Sequence, residues 1–587
     1  MKITKYIIAT LYLFLVPYGV KAIVAKPGVI NALQPDGTYV KIIQNGDEAH
    51  HITYTEDGYL VWPDEDGYYV MGDIDDEGNL ISTGLKVVDR ENRSKEYNSR
   101  LSEIKAKNFT MPEKEIISSQ QLRAKRNGPG LMSTQFPALG EQKSVVILVA
   151  FNDKDFRIEN PQDYFHRLLN EENFNEDNAT GSVRDFYIGN SQGRFLPEFD
   201  VYGPVKLDKD YSYYGKNKNG GDQRPAEMII EACKLLDGEV DFSQYDRNGD
   251  GLIDNVYVFY AGYGEADGGG ADTVWPHSWD ILYATDEEIM LDGVRLAHYA
   301  CSNEIQNYYQ IPTGIGTFCH EFSHVLGLPD LYSTVYNGAF TPGEWDLMDA
   351  GSYNNYSHTP ANMSAYEKYA LDWIDPVPLD FGEYEMSSTD ETHICYLVPT
   401  AQMTEFFLIE NRQKRGFDRY IPGHGLLVWH IDFVPEKWYM NEVNNELHHQ
   451  HVDLVEADNV RSTSTRAADS FPGNRRIDEF SCQTTPAFKS WLGESMPYRL
   501  SEIWETYDGV VTFNVSYCDD SGVANISSDL SDLMIEGNQV VNRGDKIVEI
   551  YDLSGRKIVA AGKERIELPH GLYIAKSGAA VVKFMIK

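Results

Sequence analysis

The amino-acid sequence predicts a multidomain protein in which a central α/β unit lies between β-rich units. The chain has 587 residues, several times the roughly 150 of a typical domain. In its middle part, apolar runs typical of buried strands, at 144–151 and 256–260, flank a helical pattern at 225–236. Before and after that part, short apolar runs alternate with turn residues, as they do in all-β units.

The first 22 residues have the pattern of a secretory signal peptide. Lys2 and Lys5 precede an apolar stretch, and Val20-Lys21-Ala22 resembles a cleavage site. A membrane anchor is the alternative, but the apolar run is short for one. No other stretch of the sequence approaches the length that spans a bilayer. We therefore predict that 1–22 is a signal peptide and that the protein is secreted.

Residues 23–130 are predicted to form a β-rich propeptide. Asp-Gly turns separate short aromatic and β-branched runs, a pattern typical of hairpins. The segment ends with basic residues between Arg123 and Arg126, where a protease can cut an exposed linker. The turn Asn45-Gly46-Asp47-Glu48 offers a carboxylate that could cap a metal during latency. An exposed turn is the simpler interpretation of the same residues.

Three further domains are predicted. Residues 135–375 form the α/β domain, 376–517 a β-sandwich, and 518–587 a small all-β domain. Strand-like apolar runs at 405–410 and 425–430 indicate the sandwich.

Charge and cysteine content limit the functions that the chain can have. Its formal net charge is −39, with 90 acidic and 51 basic side chains. Because phosphate backbones attract basic surfaces, nucleic acid is not an expected partner. The acidity instead favours solubility and calcium binding. The six cysteines are widely spaced, so disulfides and buried free thiols both remain open.

One short segment carries a metal-site pattern. His320 and His324 lie four residues apart, so a helix puts both imidazoles on one face, where they can bind one zinc ion. Glu321 is next to the first histidine and can take a proton from a zinc-bound water as that water attacks a carbonyl. Gly327 can turn the chain sharply after the helix. The turn makes Asp330 the predicted third ligand.

Glu344 is the competing candidate for the third ligand. Thermolysin-like enzymes take that ligand from a glutamate on a later helix, and Glu344 lies at a comparable distance from His324. However, Pro342 and Gly343 indicate a turn at this place instead of a helix interior. The sequence therefore favours Asp330.

The same motif carries a family resemblance. HExxHxxGxxD, followed by Met348 in Trp345-Asp346-Leu347-Met348, resembles the metzincin metallopeptidases. Within that clan, Leu328-Pro329-Asp330-Leu331-Tyr332 and the run 425–432 resemble the immune inhibitor A family. The resemblance covers about 135–517. It implies a metzincin-like α/β domain, an extracellular endopeptidase made as a zymogen, and Met348 as a floor beneath the zinc.

The loop 246–254 resembles the first part of a calcium-binding loop. Its predicted ligands are Asp246, Asn248, Asp250, the carbonyl of Leu252, and Asp254. Position 12 is Tyr257 instead of glutamate, so the pattern is not a complete EF-hand. A polar turn is the alternative, but clustered carboxylates repel one another without a cation. We therefore predict a structural Ca²⁺.

The C-terminal domain has a resemblance of its own. Its runs at 548–557, 568–574 and 581–587 are similar to the sorting domain of type IX secretion cargo. This similarity implies the type IX secretion machinery as a partner, passage across an outer membrane, and then release or attachment at the cell surface. An ordinary β-module that binds a substrate or a surface is the alternative.

A histidine cluster is a weaker candidate site. His448, His449 and His451 lie near Asp453 and Glu456 in the sequence, which allows a second metal site. Solvated surface histidines are the commoner explanation of such a cluster.

Taken together, the sequence predicts a zinc-dependent endopeptidase that acts on extracellular proteins. A surface adhesin with a vestigial peptidase domain is one alternative, and the intact set of metal-site residues argues against it. A zinc amidase is another, because the zinc-water chemistry is shared. Tyr353, soon after Met348, is either a packed aromatic or a group that stabilises an oxyanion.

Overall fold

The computed structural model describes residues 21–47, 51–64, 66–74, 80–104, 136–218, 221–285, 287–307, 309–335 and 338–518, and shorter segments between 533 and 586. The chain divides into two compact units, Met1–Tyr517 and Cys518–Lys587. The predicted combination of an α/β part with β-rich parts is confirmed. Residues 1–20 of the predicted signal peptide 1–22 and the basic linker near Arg123 lie outside the described residues, whereas Lys21–Ala22 form a short strand.

The N-terminal region forms a six-stranded antiparallel sheet whose strands follow one another in sequence order. Its strands are Val29–Leu33, Tyr39–Gly46, His51–Tyr54, Leu60–Pro63, Tyr69–Ile74 and Leu80–Lys86. The Asp-Gly turns close the hairpins because Gly58 and Gly67 have φ values of 84° and 79°, which glycine adopts without strain. The helix Lys95–Leu101 follows and packs Leu101 into the core of this sheet.

The central sheet has six strands. In spatial order they are Lys21–Ala22, His277–Asp280, His298–Asn303, Val256–Tyr260, Gly140–Ala150 and Phe195–Lys206. The last four are mutually parallel, whereas the first two pair antiparallel. Helices cover this sheet, so the apolar runs of its inner strands are buried on both faces. The main covering helices are Pro161–Asn170, Val183–Ser191, Pro225–Leu236 and Ile315–Val325.

Shorter elements complete this part of the chain. The helical ones are Arg90–Asn92, Glu176–Asn178, Tyr211–Gly215, Phe242–Tyr245, Glu265–Asp267, Ile281–Ala284, Gly343–Trp345, Ala350–Tyr353 and Ala365–Ala370. The strands are Asn217–Lys218 with Gly221–Asp222, and Leu252–Ile253 with Val294–Leu296 and Met290–Leu291.

The predicted β-sandwich region contains two sheets that share a core. The first has the strands Val377–Pro378, Tyr396–Pro399, Glu405–Arg412, Gly425–Asp432 and Val452–Leu454, and the second has Gly382–Met386, Val511–Tyr517, Tyr498–Glu505 and Phe480–Ser481. Side chains alternate along a strand, so Phe407 and Ile409 face the second sheet while Phe406 and Leu408 join the core of the α/β part. This double burial explains why residues 406–409 of the strand are apolar without a break.

Short helical segments connect these strands. They are Thr389–Thr392, Gly416–Tyr420, Pro435–Tyr439 and Arg466–Ala468. Cys482 and Cys518 are disulfide-bonded, whereas Cys233, Cys301, Cys319 and Cys395 are free and buried. Both outcomes that the sequence left open therefore occur.

The C-terminal unit is built from β-strands. One sheet contains Leu533–Glu536, Gln539–Asn542 and Arg565–Glu567, and the other contains Lys557–Ala561, Val548–Asp552, Gly571–Ser577 and Ala580–Ile586. Val540, Val548 and Ile550 are among its core residues. Across the described parts of the whole chain, every helix is too short or too polar to cross a membrane.

Candidate metal centre

The two motif histidines lie on the helix Ile315–Val325, all of whose residues are buried. The helix fits here because Gly314 and Gly316 let its first turn approach another backbone. A Cβ on Gly316 would lie 1.9 Å from the carbonyl oxygen of Ser352. Gly327, with φ 102°, then reverses the chain just after the helix, as the sequence predicts.

This reversal brings Asp330 to both histidines. The Nε2 atoms of His320 and His324 each lie 3.2 Å from Oδ1 of Asp330. The two imidazole rings are nearly perpendicular, with an interplanar angle of 87°. Three donor atoms therefore converge in a buried space, with ring planes that can direct both nitrogens to one ion.

Backbone carbonyls hold both rings from behind. Nδ1 of His320 is 3.0 Å from the carbonyl oxygen of Leu347, and Nδ1 of His324 is 2.8 Å from that of Leu328. A carbonyl only accepts, so each Nδ1 carries a proton, and each Nε2 faces Asp330 as the ring atom available to a metal ion. Nε2 of His320 and Oδ1 of Asp330 are buried without a hydrogen bond.

The electrostatics of this group favour a cation. Burial opposes the charge of Asp330, but the adjacent imidazoles of His324 and His320 outweigh burial and lower the pKa of the carboxyl. Burial likewise opposes protonation of His320, yet the carboxylates of Asp330 and Glu321 raise its pKa to about 9. A group that favours added positive charge in this way suits a metal ion, and two imidazoles with one carboxylate fit zinc.

Asn441 is a member of the site that the sequence did not reveal. Its Nδ2 donates to Oδ2 of Asp330 at 2.5 Å, and its Oδ1 accepts from the backbone N–H of Asp330 at 2.8 Å. The side chain thus fixes the carboxylate so that Oδ1 faces the histidines. Asn441 lies 111 residues further along the chain, and nothing in its local sequence marks it.

Met348 and Glu344 occupy different positions relative to the site. The carbonyl oxygen of Met348 accepts from the backbone N–H of Leu331 at 2.9 Å, so the predicted methionine turn is hydrogen-bonded to the residue that follows Asp330. Glu344 instead pairs with Arg466 at 2.6 Å and is not part of the convergent group. The geometry of the described residues therefore favours Asp330 over Glu344.

A segment from the chain's own N-terminal region lies along the centre. The backbone N–H of Ile23 donates to Oε1 of Glu321 at 2.8 Å, and Nε1 of Trp275 donates to the carbonyl oxygen of Ile23 at 2.9 Å. The hydroxyl of Tyr353 donates to the carbonyl oxygen of Val24 at 2.6 Å. Tyr353 is thus a hydrogen-bonding residue beside the N-terminal segment. The sequence did not predict the contact between Ile23 and Glu321.

The turn at 45–48 contributes differently from the sequence hypothesis. The carbonyl oxygen of Gly46 accepts from the backbone N–H of Ala25 at 2.7 Å and so supports the segment near Ile23. Asp47 is buried but belongs to no convergent ligand group among the described residues. Glu48 lies outside the described residues.

The predicted calcium loop folds around its own amides. Asp246 accepts from the backbone N–H groups of Gly249, Asp250 and Gly251 at 2.8 to 3.0 Å. Asp254 accepts from the N–H of Arg247 at 2.8 Å, and its Oδ1 is buried without a hydrogen bond. Burial raises the pKa of Asp254 to about 7. Within the described chain, these carboxylates do not meet as a convergent three-ligand group.

The histidine cluster is rearranged relative to the sequence hypothesis. His449 and His451 meet Asp432, while His448 stays exposed. Asp453 and Glu456 pair instead with Arg461, at 3.3 and 3.5 Å.

Comparison with known proteins finds a matching family and several similar proteins. Residues 141–375 match the family described as Immune inhibitor A peptidase M6, catalytic domain. The chain is 27% identical over 261 residues to the pre-pro-metalloprotease PrtV of Vibrio cholerae and 26% identical over 261 residues to immune inhibitor A of Bacillus thuringiensis subsp. alesti. It is also 22% identical over 214 residues to a putative secreted metallopeptidase of Arthroderma benhamiae.

These similarities cover only part of each protein. The first two alignments each span 38% of this chain, and they cover 28% of the Vibrio protein and 37% of the Bacillus protein. The third spans 30% of each chain. The matched family region contains the whole convergent group and excludes Asn441.

Proposed function

We propose that this protein is a secreted zinc-dependent endopeptidase that is made as a zymogen. The observation that carries the proposal is the convergence of His320, His324 and Asp330, with Glu321 on the same helix. The match to a peptidase catalytic domain supports hydrolysis of peptide bonds, and the names of the relatives support a metal. The name of the Arthroderma relative supports secretion.

The chemistry would divide among these residues as follows. His320 and His324 would hold zinc through Nε2, and Asp330 through Oδ1. When bound, zinc supplies a positive charge that lowers the pKa of water and polarises a carbonyl. Glu321 takes a proton from the attacking water and delivers it to the leaving amide nitrogen. The 2.8 Å contact between Glu321 and the nitrogen of Ile23 supports this role, since it is a proton-transfer distance.

The edge of the central sheet supports binding of an extended substrate. Strand His277–Asp280 pairs antiparallel with Lys21–Ala22, so a peptide could add there as an extra strand. Trp275 and Tyr353 donate hydrogen bonds to successive carbonyl oxygens of the segment. These donors are independent of side-chain identity and so suit many peptide sequences.

We infer that the N-terminal region keeps the precursor latent by lying where an extended substrate would bind, beside strand His277–Asp280. Ile23 contacts Glu321, and the sheet from Val29 onward follows directly in the chain. A precursor that retains 23–130 should therefore cleave casein far more slowly than the processed form. Equal rates for the two forms, measured side by side, would rule out latency.

Two further roles are part of the proposal. A structural Ca²⁺ at 246–254 is supported by the buried, unpartnered Oδ1 of Asp254, which a cation would stabilise. Transport by the type IX machinery, with release or surface attachment, is supported by the all-β C-terminal unit and its sequence resemblance.

Chelation and one substitution test the central claim. The zinc-loaded processed protein should cleave casein, a chelator should abolish cleavage, and added zinc should restore it. Glu321→Ala should retain zinc but lose about a hundred- to ten-thousandfold in turnover, because the general base is gone. The matched control is Asp208→Ala, which should keep wild-type activity. Asp208 is an exposed carboxylate that is not among the residues of the proposed metal site.

Several outcomes would contradict the proposal. Cleavage by Glu321→Ala at near wild-type rate would refute the role of Glu321. Hydrolysis of non-peptide amides without cleavage of casein would favour the amidase. Zinc-loaded protein that hydrolyses neither substrate would favour the adhesin.

A further inference from the structure

A cavity of about 310 Å³ adjoins the Glu321 end of the N-terminal segment, and the mechanism above does not use it. Ile23 is one of the residues that line it. Its lining includes Asp267, Asn303, Gln306, Tyr309, Tyr353 and Tyr356. The cavity is therefore mostly polar and aromatic, with one carboxylate.

Lys26 of the N-terminal segment also lines this cavity. Its backbone N–H donates to the carbonyl oxygen of Ala266 at 3.0 Å, and its Nζ lies 4.8 Å from the centre of the Tyr309 ring. A cation over an aromatic face is attracted by the ring's quadrupole. The cavity thus already accommodates a lysine side chain. The backbone of this lysine is hydrogen-bonded to Ala266, the residue before Asp267.

Asp267 is arranged to receive a positive charge. Its Oδ2 accepts from the backbone N–H of Asn307 at 3.0 Å, whereas its Oδ1 is buried without a hydrogen bond. Burial raises the pKa of Asp267 to about 6, and the charge of Lys26 opposes that rise. Burial lowers the pKa of Lys26, which the charge of Asp267 opposes. Each group thus favours the charged form of the other.

The register of the segment relates this cavity to the cut bond. Glu321 must reach the leaving nitrogen, so the residue whose nitrogen contacts Glu321 corresponds to the first residue after the cut. In the segment that residue is Ile23, which packs in an apolar group with Trp275 and Tyr353. Lys26 then corresponds to the fourth residue after the cut.

We propose that Asp267 and Tyr309 form a substrate subsite that selects lysine or arginine at the fourth residue after the cut bond. This inference rests on the proposed peptidase function. It gives the substrate class as peptides with an apolar residue directly after the cut and a basic residue three positions later. Lys26 occupies in the precursor the place that a basic substrate side chain takes in the active form.

A matched peptide series tests the subsite. The peptides share isoleucine after the cut and differ only at the fourth position, which is lysine, arginine, glutamine or glutamate. The zinc-loaded preparation that cleaves casein should show a kcat/KM at least about tenfold higher for lysine or arginine than for glutamine, because the peptide cation meets a buried carboxylate. Glutamate should be the poorest.

Three variants identify the carboxylate. Asp267→Asn should remove the preference for lysine over glutamine while still cleaving the glutamine peptide, and Asp267→Glu should retain the preference. Asp208→Asn, at an exposed aspartate outside the cavity, should behave as wild type. Melting temperatures of all variants show whether each one is folded.

The outcomes separate this inference from the proposed function. Failure of the zinc-loaded protein to cleave either casein or any of the peptides would refute the peptidase function, and the subsite with it. Cleavage of casein without cleavage of the lysine and arginine peptides would overturn the subsite alone. Equal cleavage of the lysine and glutamine peptides by the wild type, or an unchanged preference in folded Asp267→Asn, would overturn the subsite alone.

Discussion

Two groups in this molecule have the same chemical composition, two imidazoles and one carboxylate. One consists of His320, His324 and Asp330, and the other of His449, His451 and Asp432. In the first group the rings are nearly perpendicular, at 87°, and both Nε2 atoms lie 3.2 Å from the same carboxylate oxygen. In the second the rings are stacked, with centroids 4.7 Å apart and an interplanar angle of 27°.

The second group is held together by hydrogen bonds between its own members. Nε2 of His449 is 2.8 Å from Oδ2 of Asp432, and Nδ1 of His451 is 2.8 Å from the backbone carbonyl oxygen of Asp432. Trp491 stacks on His449 with centroids 4.2 Å apart. An ion must lie near the plane of each imidazole that binds it, so two stacked rings are less well oriented for one ion than two perpendicular rings. A metal site therefore depends on the orientation of its ligands as well as on their identity.

Zinc content is the most direct way to break this comparison. Asp330→Ala should lose zinc, because a ligand is gone from a buried convergent group. Asp432→Ala should bind zinc as the wild type does. Zinc content and dissociation constant of both purified variants measure the difference, and the opposite pattern would reverse the assignment of the two groups.

Glu344→Ala is the control for the third ligand. It should retain zinc, because Glu344 pairs with Arg466 in the structure. Loss of zinc from this variant together with retention in Asp330→Ala would overturn the metzincin-like arrangement.

Removal of Asn441, which hydrogen-bonds the proposed ligand Asp330, should have a smaller effect on zinc binding. Asn441→Ala should weaken zinc binding by about 10- to 100-fold, as removal of an outer partner typically does. Asn445→Ala is the matched control, because Asn445 accepts from the N–H of Thr334 at 2.8 Å and does not contact Asp330. If both variants bind zinc equally well, Asn441 does not orient the carboxylate.

The calcium loop is a third acidic group for the same comparison, and its effect should be on stability. Calcium should raise the melting temperature of metal-depleted protein. Binding to the folded state alone adds about 2.7 kcal/mol to the unfolding free energy at a hundredfold excess over the dissociation constant. Asp250→Ala should remove much of this gain, while Asp237→Ala, at an exposed residue outside the loop, should keep it. Identical melting curves with and without calcium would exclude the site.

The smallest expected effect concerns how the stabilising contribution of Asp432 depends on pH. Hydrogen bonds from His449 and His451 lower the pKa of Asp432 in the folded state. A lowered carboxyl pKa contributes stability above the unfolded pKa, and that contribution is lost as the pH falls toward the folded one. The melting-temperature difference between wild type and Asp432→Asn should therefore be largest near neutral pH and narrow below about pH 4. A melting-temperature difference that stays constant across this pH range would show that the ionised carboxylate of Asp432 does not stabilise the fold.

Much of the fold followed from local patterns. The Asp-Gly turns predicted the hairpins of the N-terminal sheet, and the apolar runs at 144–151 and 256–260 became parallel inner strands. The sequence could not show that strand 405–412 packs against two cores. A continuous apolar run reports burial on both faces but not what covers each face.

The sequence by itself determined the arrangement of His320, Glu321, His324 and Asp330, because a helical turn and a glycine reversal relate residues that are close in the chain. Only the tertiary structure decided what surrounds them. Asn441 behind Asp330, Ile23 at Glu321, and the separation of Glu344 from the site all depend on contacts between residues far apart in the chain. The same holds for the histidine cluster, whose carboxylate is Asp432 instead of Asp453. Such contacts form only when separate elements pack, and no local sequence pattern encodes which side chains then meet.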